Sequence, residues 1–237
     1  GEQLRAAGVE LKGSGPFYNR HLIKQGNREF LGSDFVWILD EQLENVRYPA
    51  EVMVVERLEW GNLYATLNSI THGDEHFGGA ELGEKELWQK FQQGIAEVRE
   101  IRREIHSIER GEIGRINYRM EQLRLQQRRL ELNGSDAPAA LADLAATRAE
   151  LEAEYSVLQN LLNGLYLQIN RDTYQVTLAD GSHQVLPLAK VVRADRPNSM
   201  GLLAKISHYV VKLVEFLTTE PREANTEGGV YPAIFGT

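Results

Sequence analysis

Apolar positions change their spacing twice along this chain. Over residues 18–71 the period is close to two, which predicts strands. Phe35, Trp37 and Leu39 alternate with Val36, Ile38 and Asp40. Residues 52–58 are rich in β-branched and apolar side chains, and 63–70 read as the return strand across a Trp60-Gly61-Asn62 turn. Gln25-Gly26-Asn27 marks another turn. Trp37 and Trp60 are read as core or turn-packing residues.

Over residues 85–170 the spacing becomes three and four. Leu141, Leu144, Arg148, Leu151, Tyr155, Leu158, Leu162, Leu165 and Ile169 form a heptad seam with one polar interruption. A rougher seam precedes it, from Phe91, Ile95, Val98, Ile101, Ile105 and Ile108 to Ile113, Ile116, Met120, Leu123 and Leu130. Its irregular step surrounds Gly111 and Gly114, where a kink or loosened turn is expected because glycine costs about 1 kcal/mol in a helix interior. Between the seams, Asn133-Gly134 stops one helix and Ser135 or Asp136 caps the next. The pattern predicts an antiparallel helical hairpin, with arms of about 35 residues projecting roughly 50 Å. Residues 115–131 carry net charge +3 and residues 136–154 carry −4. The expectation is a basic arm folded onto an acidic one.

Residues 173–193 return to alternation, with Asp180-Gly181 as a two-residue hairpin turn. From 199 to 218 an amphipathic helix is predicted. Leu203, Ile206, Val210, Leu213 and Leu217 share one broad apolar face, and Lys205, His208, Lys212 and Glu215 form a thin polar strip. That shape suits a membrane interface or, equally, a helix docked on a sheet. The fold class expected is α+β. It comprises a small antiparallel sheet or barrel, an inserted helical hairpin and a C-terminal amphipathic helix. The corresponding segments are 1–84 (β-rich), 85–170 (hairpin), 171–198 (β-hairpin completing the sheet) and 199–237 (amphipathic helix and the start of a truncated membrane helix).

Composition narrows the function classes. With 237 residues and 42% hydrophobic content, the chain can build a core. Its formal charge of −8 argues against nucleic acid as the main partner. The absence of cysteine excludes disulfides, a thiolate nucleophile and Cys-ligated zinc. No phosphate-cradling Lys-Ser/Thr loop and no G-x-S-x-G elbow is present. His72 and His76, in His72-Gly73-Asp74-Glu75-His76, are weak metal candidates expected in a loop. No cofactor is expected, and Glu56 and Glu59 are read as solvated.

The last stretch turns apolar in Gly228-Gly229-Val230-Tyr231-Pro232-Ala233-Ile234-Phe235-Gly236-Thr237. It reads as the first half of a membrane span or as a disordered tail. Together with Pro221 to Glu227 it resembles the segment that opens a transmembrane helix in the PstA-type permease subunit of bacterial phosphate ABC transporters. Four other blocks resemble the extracytoplasmic insertion that some members carry. They are Ile23-Lys24-Gln25-Gly26-Asn27-Arg28, Glu56-Arg57-Leu58-Glu59-Trp60-Gly61-Asn62, Gly111-Glu112-Ile113-Gly114-Arg115-Ile116-Asn117-Tyr118-Arg119 and Lys190-Val191-Val192-Arg193-Ala194-Asp195-Arg196-Pro197.

The resemblance implies a non-catalytic periplasmic domain attached to the bacterial inner membrane. Its implied partners are the partner permease subunit, the periplasmic phosphate-binding protein and, through the rest of the protein, a cytoplasmic ATPase. The hairpin tip, with Arg124, Arg128, Arg129 and Asp136, is the expected partner contact. Leu203, Ile206, Val210, Leu213 and Leu217 are the expected membrane contact. Two other classes remain: a soluble coiled-coil adaptor, and an enzyme with a site near His72 and His76.

Overall fold

The computed structural model describes residues 19–132 and 138–218. The fold is α+β, 59% helical and 23% strand, with antiparallel sheets. β1 (Arg20–Lys24) and β2 (Phe35–Leu39) form a two-stranded ribbon. β3 (Val52–Arg57), β4 (Leu63–His72), β5 (Glu75–Gly78), β6 (Thr173–Thr177), β7 (His183–Pro187) and β8 (Val191–Asp195) form a second sheet. Its order is β7-β6-β4-β3-β8, with β5 also paired to β4. The long helices are α1 (Glu84–Ser107), α2 (Gly114–Leu132), α3 (Pro138–Ile169) and α4 (Leu202–Thr218). The described residues divide into two compact units.

One unit comprises residues 19–68, 176–184 and 190–218. Its core is Met53, Val55, Leu63, Val176 and Val191, all almost wholly buried. Alternation along β3 and β4 puts Met53, Val55 and Leu63 on one face. The Gln25-Gly26-Asn27 turn is locked onto β4. Asn27 sits in the left-handed region at φ 58°. Its side-chain amide donates to the Tyr64 carbonyl, and its carbonyl oxygen accepts from the Tyr64 N–H, both at 2.8 Å. Gly26 is required there, because a Cβ would lie 2.4 Å from the Tyr64 ring. Trp37 and Trp60 are exposed, contrary to expectation. Trp60 stands at φ 67° in the turn after β3, where the backbone points its ring outward. The β6–β7 turn also differs: it is a three-residue loop. Gly181 N–H donates to Leu178 O and Leu178 N–H to Ser182 O, with Gly181 at φ 84°. A tight turn followed by a left-handed residue absorbs the third residue.

The other unit comprises residues 69–132, 138–175 and 185–189. Phe91 packs on Tyr174 at 5.1 Å between ring centroids, and Gly94 leaves room for the buried Leu188. Both α1 and α2 pack against α3. On α3 the seam residues Leu151, Leu158, Leu162, Leu165 and Ile169 are buried. The first arm is a continuous helical run of 49 residues, longer than expected. Its irregular step is a π-turn, Ile108–Ile113. Ile108 and Ile113 lie five apart, one residue more than an α-helical seam permits, and a π-turn takes up that extra residue without breaking the helix.

The charge-matched arms take a different form. Arg124 pairs with Glu121, Arg128 with Glu131 and Arg148 with Glu152, each within its own helix. Partners three or four residues away reach each other with less ordering than partners on another helix. A bond between the arms comes from Tyr166, whose hydroxyl donates to Glu109 at 2.6 Å.

Candidate functional site

The sequence of α4 makes two faces, and the structure decides which is covered. His208 and Lys212 lie four residues apart on its polar strip. β3 and β8 pair with Glu56 opposite Arg193, and with Val54 opposite Asp195. The Lys212 ammonium donates to Glu56 Oε2, and Arg193 Nη2 reaches the same oxygen at 3.2 Å. His208 Nδ1 lies 3.7 Å from Asp195 Oδ2. α4 therefore docks through His208 and Lys212 of its polar strip. Glu56 is only 9% exposed, so it is not a solvated carboxylate. A buried carboxylate needs paired cations, and here two of them converge on one oxygen.

The apolar face is left outward. Leu203 is 82% exposed, and Ile206, Val210, Leu213 and Leu217 are each about half exposed or more. Tyr209, Val214 and Phe216 extend the patch. Continuous exposed apolar patches are, in general, where proteins meet lipid or other proteins. Glu56 and Asp195 were not legible as its supports, because they are remote in the chain from α4.

Two of the blocks singled out in the sequence, 56–62 and 190–197, meet beside this site, and the residue after a third joins them. Arg57 donates at 2.6 Å to Glu29, the residue after the first block, and Lys190 donates to Glu59 at 2.8 Å. The Leu58 N–H donates to the Lys190 carbonyl at 2.9 Å. These contacts hold the end of β3 in place. The remaining block, residues 111–119, spans the end of the π-turn and the start of α2.

His72 and His76 are not brought together. They lie on the β4–β5 hairpin rather than in a loop. Its register pairs Thr71 with His76 and His72 with Glu75, so the two imidazoles point to opposite faces. His76 Nδ1 meets Thr71 Oγ1 at 3.2 Å. His72 Nδ1 meets Asp172 at 2.8 Å, while Arg171 Nη2 lies 3.0 Å from His72 Nε2. A guanidinium can only donate, so Nε2 accepts and the Nδ1–H faces the carboxylate. Burial pushes the Asp172 carboxyl up, but bonds from Arg171 and the Gly73 N–H, with the nearby His72, outweigh it and hold the group below its usual range. Among the described residues, no group of three or more His, Cys, Asp or Glu side chains is placed to hold a metal ion.

A cleft lined by Ile70, His72, Phe77, Lys90 and Leu188 has a volume of about 80 Å³. That is below the range of small-molecule sites. Lys90 already stands over the Phe77 ring, 3.8 Å from its centroid. On α2, Arg124, Arg128 and Arg129 are exposed. Asp136 and residues 219–237 lie outside the described residues, as do residues 1–18. Among the described residues, no helix is long and apolar enough to cross a membrane. Comparison with known proteins finds no matching family model, no similar curated protein and no similar solved structure.

Proposed function

We propose that this chain is a non-catalytic, membrane-proximal domain whose α4 lies in the interface of a bilayer. The observation that carries the reading is the outward apolar face of Leu203, Ile206, Val210, Leu213 and Leu217 on a helix tethered by Lys212 to Glu56. A helix held this way presents hydrocarbon to a bilayer while its polar strip stays paired with the protein. The sequence resemblance extends the reading to the periplasmic insertion of a phosphate importer's permease in the bacterial inner membrane. On it, Arg124, Arg128 and Arg129 at the hairpin tip meet the phosphate-binding protein or the partner permease, and the ATPase acts through the rest of the protein.

The test is co-sedimentation with liposomes, comparing the chain with a Val210→Asp, Leu213→Asp variant. Both positions are exposed, so the fold survives the change. Binding lost in the variant is the expected result. Equal binding by the two forms would show that α4 is not the membrane contact, and no binding by either would favour the soluble adaptor.

A further inference from the structure

The β1–β2 ribbon has two unlike faces. Its register sets Arg20 opposite Leu39, Leu22 opposite Trp37 and Lys24 opposite Phe35, so these six side chains share one face. Leu22, Phe35 and Trp37 are each about half exposed there, and Arg20 and Lys24 are exposed. The other face holds Ile23, Val36 and Ile38, which are partly buried, and His21, which is bonded to Asp40 at 2.8 Å. The outward face thus joins two aromatic rings to two cations and carries no carboxylate, on a chain whose formal charge is −8.

The ribbon is fixed at one end of the larger sheet. Asn27 is bonded to Tyr64 and Glu29 to Arg57, both beside the turn that joins β3 to β4. α4 runs toward the same end. His208 reaches Asp195, which lies level with Val54, and Lys212 reaches Glu56, two residues nearer that turn. Four helical residues and two strand residues both advance about 6 Å, so α4 and β3 run alongside each other in one direction.

We infer, resting on the membrane-proximal reading, that this ribbon face is a second bilayer contact and selects anionic lipid headgroups. Aromatic rings settle where hydrocarbon gives way to headgroups, and basic side chains beside them are drawn to an anionic lipid surface. An acidic chain is repelled by such a surface as a whole, so a local basic face decides which part approaches it. Arg20 and Lys24 supply that charge, and Phe35 and Trp37 supply the rings. α4 gives the domain its hydrocarbon contact, and the ribbon makes that contact depend on lipid charge.

Trp37 reports the contact directly. The chain has three tryptophans, and Trp60→Phe with Trp88→Phe leaves Trp37 alone. On vesicles of phosphatidylcholine mixed with phosphatidylglycerol, its emission should shift to the blue and be quenched by brominated acyl chains. Arg20→Gln with Lys24→Gln changes two exposed positions. It should weaken binding to these vesicles roughly 25-fold, about five-fold for each charge, and leave binding to pure phosphatidylcholine unchanged. The Val210→Asp, Leu213→Asp variant separates this inference from the reading of α4. If α4 alone fails as a contact, that variant binds the mixed vesicles like the wild type and Trp37 still shifts. The inference is overturned if Trp37 emission stays unchanged while the chain binds vesicles, if the preference for anionic vesicles survives Arg20→Gln with Lys24→Gln, or if the chain binds no vesicle.

Discussion

Lys212 on α4 and Glu56 on β3 are 156 residues apart in sequence and share an ion pair that turns an amphipathic helix inside out. His208 and Lys212 of the polar strip turn to the sheet, and Leu203, Ile206, Val210, Leu213 and Leu217 of the apolar face are exposed. Truncating each partner should therefore have unequal effects. Glu56→Ala removes the acceptor that Arg193 and Lys212 share and should cost about 3 kcal/mol, the scale of a broken buried pair. Lys212 is more exposed, and Lys212→Ala should cost about 1 kcal/mol or less. Hydrogen exchange in 202–218 should rise in both variants, with β3 and β4 protected in Lys212→Ala. Unchanged exchange in α4 would mean the pair does not hold the helix.

Asn27 acts as a strand substitute for Tyr64. Asn27→Ala leaves a backbone donor and acceptor of β4 unpaired and should cost about 2 kcal/mol. Asn27→Asp is more diagnostic. A carboxylate accepts from the Tyr64 N–H but repels the Tyr64 carbonyl. The variant should be destabilised at neutral pH and regain stability in acid, when the protonated carboxyl can donate. Chemical denaturation at two pH values measures it.

The Asp172 carboxyl is held low in the folded chain, so protonation favours unfolding. Its contribution is present above the unfolded carboxylate value near 3.8 and is lost as pH falls through the lower folded value. Asp172→Asn should lower stability at pH 6 and flatten the acid limb below about pH 4. An acid limb identical to the wild type's would assign that limb to other carboxylates.

The π-turn predicts an asymmetry between deletions. Removing Gly111 shortens the step from Ile108 to Ile113 to four residues, which an ordinary α-helix accommodates. That variant should keep its helical content and its melting temperature. Removing Arg103 instead rotates every later seam residue by about 100° relative to α3. It should melt much earlier. Similar melting of the two variants would show that the π-turn does not serve the seam.

Much of the helical part was legible because its information is local. The α3 seam from Leu151 to Ile169 follows from spacing alone, as does the extra residue between Ile108 and Ile113, although its form as a π-turn does not. The α+β class follows from the change of period along the chain. What the sequence could not determine were choices made by residues distant in the chain. Amphipathicity defines two faces on α4 but does not say which is covered; Glu56 and Asp195 decide that, and both come from strands remote from it. The same holds for His72 and His76, close in sequence but sent to opposite faces by the β4–β5 register. Spacing specifies which side chains share a surface, and only tertiary structure decides what that surface meets, because burial and ion pairing depend on partners that the local pattern does not contain.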